Sequence, residues 1–472
     1  MTMPLPLASG HKDLQDFQHL PRSPFLSYLR KQTQPTAPRP PAAKLASSPA
    51  TSLKKIGAFS LSQWWNFVLE YLRHRFGPRH RFLTYKPGDA DTGVYRMPDE
   101  SEIRIALAGD WATGTDEAAA VAKLIAGFQP HYSIHLGDVY YVGDPAAVGE
   151  NFLGIQNPEN HFQPCLWPKG SHGSFALNGN HEMYSLGHSY FSQMLPTLGI
   201  VVGGRPQGQG ASFFCLENKY WRIVAVDTGY NSIGLPIIEY IFPPNCALRR
   251  ELLDWLRTTV KPRSDDPRGI IMLSHHQYFS RFQQWYPKPA RQLAEFFPHK
   301  FLWFWGHEHL MAVYHEFAVE GGPTVFGRCV GHGGMPTDLP PPDPLHAECG
   351  VDFVDERHYR NDENLLIGFN GFARLALQKD HLKVEYVDVY GTVIFSETWA
   401  AQGGVLQRIA SGVPPKSVER FKDQIRNLTR GCARLVKFRP NMGKLVRRED
   451  REPPYPLNRV GKRVPVRTRS NY

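Results

Sequence analysis

Hydrophobic and polar positions follow two different periods through the middle of this chain. Short apolar runs at 103–108, 132–136, 175–177, 270–273 and 301–305 read as buried strands, each running directly into polar or glycine-bearing residues. Between the first two, residues 116–128 are alanine-rich with apolar positions at helical spacing, and Thr115 or Asp116 serves as the cap. Further helices are expected at 187–198 and 248–258, and paired strands at 212–216 and 221–227. Alternation of this kind predicts an α/β layered fold. Beyond residue 306, strands are expected at 311–317 and 324–329. A three-stranded antiparallel meander follows at 369–378, 381–389 and 393–398, with turns at Lys379-Asp380 and Tyr390-Gly391. The Pro- and Asp-rich stretch 336–364 is too long for a plain connector and is expected to act as a lid.

The two ends look different. Residues 1–55 alternate Pro, Ala, Ser and Arg and bury too little apolar area to offset their ordering entropy, so disorder is expected there. The segment 56–100 holds an amphipathic helix and a linker. Ser60 and Gln63 form a capping box, Leu61, Trp64, Trp65, Val68, Leu69 and Leu72 share one face, and Gly77-Pro78 stops the helix. That face can pack on the main domain or rest on a membrane surface. The main domain is expected over 101–400. Residues 401–472 carry a basic helix, with Val418, Phe421, Ile425, Leu428, Cys432 and Leu435 on one face, and then a tail.

Charge sharpens this division. The 472 residues carry a net +10, yet residues 1–60 contribute +6 and 411–472 contribute +12, which leaves the body at −8. The basicity belongs to the ends, where it suits a solvated tail or contact with anionic lipid or nucleic acid. No apolar run is long enough to cross a membrane, no secretory leader is evident, and the six cysteines form no Cys-x-x-Cys pair. Reduced thiols and a cytoplasmic location are the expectation.

The chemistry sits where the strands end. In order, the chain delivers Gly109-Asp110-Trp111, Gly137-Asp138-Val139-Tyr140-Tyr141, Asn178-Gly179-Asn180-His181, Ser274-His275-His276 and Gly306-His307-Glu308-His309. Each alone has a bland alternative: Asp110 and Asp138 can be helix N-caps, and Tyr141 can be core beside Tyr140. Together, the five resemble the calcineurin-like metallophosphoesterase superfamily, the Asp-x-x-Tyr element resembles its purple acid phosphatase branch, and Gly109-Asp110-Trp111 looks most like the short, tartrate-resistant type within it. The resemblance covers roughly 100–400.

It implies a four-layer sandwich of two mixed β-sheets flanked by helices, with metals at one rim. It implies two metal ions, with Asp138 as their bridge. Asp110, Tyr141 and His309 would hold one, and Asn180, His275 and His307 the other. A phenolate and carboxylates suit Fe(III), while imidazoles and an amide suit Fe(II), Zn(II) or Mn(II). His275 and His276 compete for one ligand role; the family's ligand His is followed by one residue and then Pro, and Gln277 replaces that Pro here. Ala112 stands where many non-purple relatives have His, a loss that fits the gain of Tyr141. His181 would protonate the leaving group, and His276, His332 and Trp111 would contact substrate, with Glu182 and Asp227 as orienting residues. The implied activity is hydrolysis of phosphate monoesters by metal-bound hydroxide. The alternative is a phosphodiesterase or nuclease that uses the same site, with the basic tails recruiting polyanions.

Overall fold

The computed structural model describes residues 73–415 and 417, apart from 87, 157–163, 235–243, 338–341 and 361–365. The expected disordered segment at 1–55, the helix at 61–72 and the basic helix and tail from 418 onward lie outside the described residues.

In chain order the principal elements are β1 (Val94–Arg96), β2 (Ile103–Ala108), α1 (Asp116–Phe128), β3 (Tyr132–His135), α2 (Pro145–Asn151), β4 (Gly173–Ala176) and α3 (Asn180–Tyr184). Then come β5 (Gly199–Val202), β6 (Arg205–Pro206), β7 (Phe214–Glu217), β8 (Trp221–Ala225), α4 (Arg250–Trp255), β9 (Gly269–Leu273), α5 (Pro287–Leu293) and β10 (Phe301–Trp305). The remainder is strand: β11 (Met311–Phe317), β12 (Val325–Val330), β13 (Val351–Val354), β14 (His358–Arg360), β15 (Leu366–Gly368), β16 (Gly371–Gln378), β17 (His381–Asp388), β18 (Val393–Gln402) and β19 (Val405–Gly412).

Helix α1 forms where its pattern places it. Extended Thr115 accepts from the Ala118 amide, acidic Asp116 and Glu117 complement the helix N-terminus, and left-handed Gln129 closes the other end. The region 187–198 is helical in tighter and looser turns, with a π-type turn at Tyr190–Met194 and a 3-10 turn at Leu195–Thr197.

The strands build two mixed sheets. One runs β1-β7-β8-β9-β10-β12-β11-β13 and the other β19-β18-β17-β16-β2-β3-β4-β5-β6. Three apolar clusters show how the layers stack. The first joins residues of both sheets, including Ile105, Phe175, Leu273, Phe304 and Leu375. The second packs Val121 and Ile125 of α1 on the outer face of the nine-stranded sheet, and the third packs Leu252 and Trp255 of α4 on the eight-stranded one. Helix, sheet, sheet, helix is the four-layer order. A buried ion pair also ties the sheets: Arg328 on β12 donates two bonds, at 2.6 and 2.7 Å, to Glu397 on β18.

Two expectations change. The 336–364 stretch is more than a lid, because β13 within it pairs antiparallel with β11 as the edge of the eight-stranded sheet. Its Val351, Phe353 and Val354 are too few to signal a strand against the surrounding Pro and Asp. The nine-stranded sheet also continues past residue 400, since β19 pairs with β18 from Gly412 back to Val405. The polar face of that edge strand hides its strand period. Among the described residues, no helix is long and apolar enough to cross a membrane.

Candidate metal centre

Strand ends from both sheets meet at one rim. Asp110 follows β2, Asp138 follows β3 and Asn180 follows β4, all in the nine-stranded sheet. His275 follows β9, and His307 and His309 follow β10, in the eight-stranded one. Three of these residues take left-handed backbone: Asp110 at φ 56°, Asp138 at φ 72° and His307 at φ 65°. Such conformations cost about 1–3 kcal/mol each and mark places where side-chain aim outweighs backbone comfort. Each follows a glycine (Gly109, Gly137, Gly306) at which backbone packs tightly. A Cβ on Gly306 would come within 2.7 Å of an Asp110 oxygen, and one on Gly179 within 2.1 Å of an Asp138 oxygen.

Asp138 lies between two groups of donors. Its Oδ1 is 3.2 Å from His275 Nε2, and that nitrogen is also 3.2 Å from Asn180 Oδ1. Its Oδ2 accepts from the Tyr140 hydroxyl at 3.2 Å. The same hydroxyl bonds Asp110 Oδ1 at 2.7 Å and meets His309 Nε2 at 2.9 Å. Asp110 Oδ2 in turn accepts the His307 amide at 2.8 Å.

The donor chemistry fits metal ions. His275 Nδ1 lies 2.9 Å from the Leu136 carbonyl and must donate to it, so Nε2 of the neutral ring presents a lone pair toward two oxygens. A proton on Nε2 or a metal cation resolves that arrangement. Burial alone would lower the His275 pKa, yet Asp138 overrides it and pushes the group up to about 9. Burial likewise favours a neutral Asp138, but His275 and His181 hold its carboxyl well below the usual range. A metal ion would satisfy the same lone pairs without a proton. His307 Nδ1 is buried with no hydrogen-bond partner, and His275, His276 and His307 each bring one nitrogen within 4.8 Å of the others. Asp110, Asp138 and His275 form a second such group.

The remaining expected residues divide. His181 is at the rim: its amide donates to Asp138 Oδ1 at 3.0 Å, Nδ1 lies 2.5 Å from the Tyr141 carbonyl, and Nε2 is 3.8 Å from Asp138 Oδ2. With 15% of its side chain exposed, and His309 at 21%, these two histidines mark the open side of a buried cluster. His276 is buried against Thr228, whose hydroxyl meets both its amide and Nδ1, and its ring lies 4.5 Å from that of His307. Glu182 Oε2 accepts the amides of Asp138 and Gly179, at 3.1 and 3.0 Å. Asp227 anchors the neighbouring loops through Ser212, Asn178 and the Tyr230 amide.

Three expectations are corrected. The phenol that reaches the cluster belongs to Tyr140, one residue before Tyr141. Val139 bridges to Ala112, so the flanking Asp138 and Tyr140 project to one side, and Tyr141 offers its carbonyl to His181. Trp111 is fully buried: its indole donates to the Ala118 carbonyl and packs edge-on to Trp167, so it is part of the core. His332 is also buried, turned away beneath Gly371, because Gly331 and Gly333 give the site side of that loop to bare backbone. Sequence reasoning missed Tyr286, whose ring lies 5.9 Å from His307 and 5.1 Å from His276, and nothing in its local sequence marks it.

Residues 103–311 match the calcineurin-like phosphoesterase family. This region resembles the calcineurin-like phosphoesterases. Members of that family use divalent metals, and the ligand groups just described are where the described residues could hold them. Among solved structures, the domain is similar to a purple acid phosphatase from yellow lupin (Lupinus luteus) seeds, with 15% identity and TM-score 0.42 over 64% of this chain and 54% of that one. It is also similar to GAP50, described as the anchor in the inner membrane complex of Plasmodium, with 15% identity and TM-score 0.39 over 64% and 90% of the two chains. PhoD is a third, with 10% identity and TM-score 0.40 over 71% and 78%. Likenesses this distant carry no argument about activity. The chain spans about half the length of the lupin enzyme, and no curated protein matches it.

Proposed function

We propose that the phosphoesterase domain hydrolyses phosphate monoesters with two metal ions that share Asp138. Asp110, Tyr140 and His309 would hold one ion, and Asn180, His275 and His307 would hold the other. The observation that carries this reading is the position of Asp138, whose two oxygens face opposite donor groups. The phenol and carboxylates suit Fe(III), and the imidazoles and amide suit Fe(II), Zn(II) or Mn(II). When bound, such a pair supplies an activated water and neutralises charge on the phosphoryl group.

The chain's own residues do the rest. Glu182 fixes the amides of Asp138 and Gly179 and so holds two of the ligand loops in register. His181, with Nδ1 committed to the Tyr141 carbonyl, presents Nε2 at the open side to hold a proton for the departing alkoxide. Buried Asp110, Asp138 and His275 form a floor closed to bulk water. Rates on p-nitrophenyl phosphate and on bis-p-nitrophenyl phosphate test the proposal. Monoester turnover well above diester turnover supports it, and the reverse order overturns the monoester assignment.

A further inference from the structure

A second cavity, of about 580 Å³, opens at the other pole of the sandwich. Its wall includes Arg96 at the end of β1, Lys219 in the β7–β8 turn, Arg268 before β9 and Lys379 after β16, so both sheets contribute. Strands β2 and β9 begin beside it and end at Asp110 and His275. A six-residue strand such as β2 rises roughly 20 Å, so the cavity is remote from the metal centre.

Its charges are unevenly committed. Arg268 is spent on Asp266, at 2.7 Å through Nε and again through Nη2, and on Glu217 at 2.9 Å. Arg222 adds a second guanidinium to Glu217, also at 2.9 Å, and Glu100 is occupied by His172 at 2.8 Å. Arg96, Lys219 and Lys379 are exposed, and among the described residues none has a carboxylate within ion-pair reach. Lys219 Nζ instead hangs 5.5 Å over the Tyr220 ring. Facing these three cations, Asp99 and Glu100 are the lining carboxylates without an ammonium or guanidinium partner, Glu100 meeting only the imidazoles of His172 and His131. Buried Met97 and Leu377 supply a firm apolar floor.

We propose that this cavity is a binding site for a small polyanion carrying two or more phosphate groups. Three uncommitted cations lining one cavity attract such a ligand more strongly than a single phosphate, and the volume falls within the range of small-molecule sites, about 300–1,000 Å³. The site is separate from the phosphoryl-transfer centre and does not depend on the metals.

Calorimetry with methylenediphosphonate, whose P–C–P link resists hydrolysis, tests this on the full-length protein. Three proteins are compared: wild type, Asp138→Asn, and the double variant Lys219→Glu/Lys379→Glu. The expected result is binding that persists in Asp138→Asn and weakens about tenfold or more in the double variant, equivalent to at least one decade in Kd. Turnover of p-nitrophenyl phosphate by the double variant stays at the wild-type level. Should Asp138→Asn unfold, wild type itself decides, with one more bound ligand per chain than the double variant. Binding that disappears with Asp138→Asn while its melting transition is intact would overturn the proposal. Binding unchanged by the double charge reversal would do the same.

Discussion

The Tyr140 hydroxyl lies 2.7 Å from Asp110 Oδ1 and 2.9 Å from His309 Nε2, which makes it part of one half of the candidate metal centre. If that half holds Fe(III), the phenolate should give a visible charge-transfer band. Reconstitution with iron should therefore produce a colour that Tyr140→Phe bleaches and Tyr141→Phe leaves in place. A visible absorption spectrum of the three proteins checks this. Loss of the band in Tyr141→Phe alone would return the ligand role to the later residue.

His181 has a separable role. Its amide and ring sit beside Asp138, but its Nε2 stays 3.8 Å from the carboxylate and faces the open side. His181→Ala should keep both metals, by elemental analysis, and lower turnover roughly 10²–10⁴-fold, the range for losing a general acid. Substrates with very good leaving groups should lose least. A matching loss of metal would make His181 a ligand.

How much of this was legible in the sequence depends on what each residue answers to. Asp110, Asp138, Asn180, His275, His307 and His309 could be picked out because each follows an apolar run and a turn, and the fold brings strand ends to one rim. Tyr140 could not be separated from Tyr141, because the choice rests on a backbone bridge between Val139 and Ala112 that spacing does not encode. Trp111 and His332 looked available because they neighbour glycines and ligands. Burial decided otherwise, and burial is a property of the assembled layers. Strand β19 escaped for the opposite reason: on an exposed edge, little of its pattern is set by the core.

The Arg328–Glu397 pair should matter to stability far more than surface ion pairs do. Both side chains are fully buried, and Tyr386 also donates to Glu397 at 3.0 Å. Glu397→Ala strands a buried guanidinium and should cost about 3–5 kcal/mol in a urea melt. Replacing both partners together, as Arg328→Met with Glu397→Leu, should recover most of that loss.

Asp227 should make stability depend on pH in the direction opposite to a salt-bridged carboxylate. Burial pushes its pKa up to about 6, although Ser212 and the Tyr230 amide act to lower it. The folded state therefore favours the protonated form. That contribution is present at pH 4 and fades as pH rises through about 6, a swing of about 3 kcal/mol at most. The stability of Asp227→Asn relative to wild type should accordingly rise between pH 4 and pH 7. Parallel urea melts at the two pH values measure it, and a constant difference would show that Asp227 ionises freely.

The shared position of Asp138 is the centre of the account, and metal content reads it directly. Elemental analysis of purified wild type and Asp138→Asn, with p-nitrophenyl phosphate turnover on the same samples, is the decisive measurement. The expected result is two metal ions per wild-type chain, and loss of both metal and turnover in the variant while its far-ultraviolet circular dichroism is unchanged. A variant that keeps two ions and normal turnover would contradict the shared carboxylate. So would a wild-type enzyme that stays fully active after chelation has removed its metals.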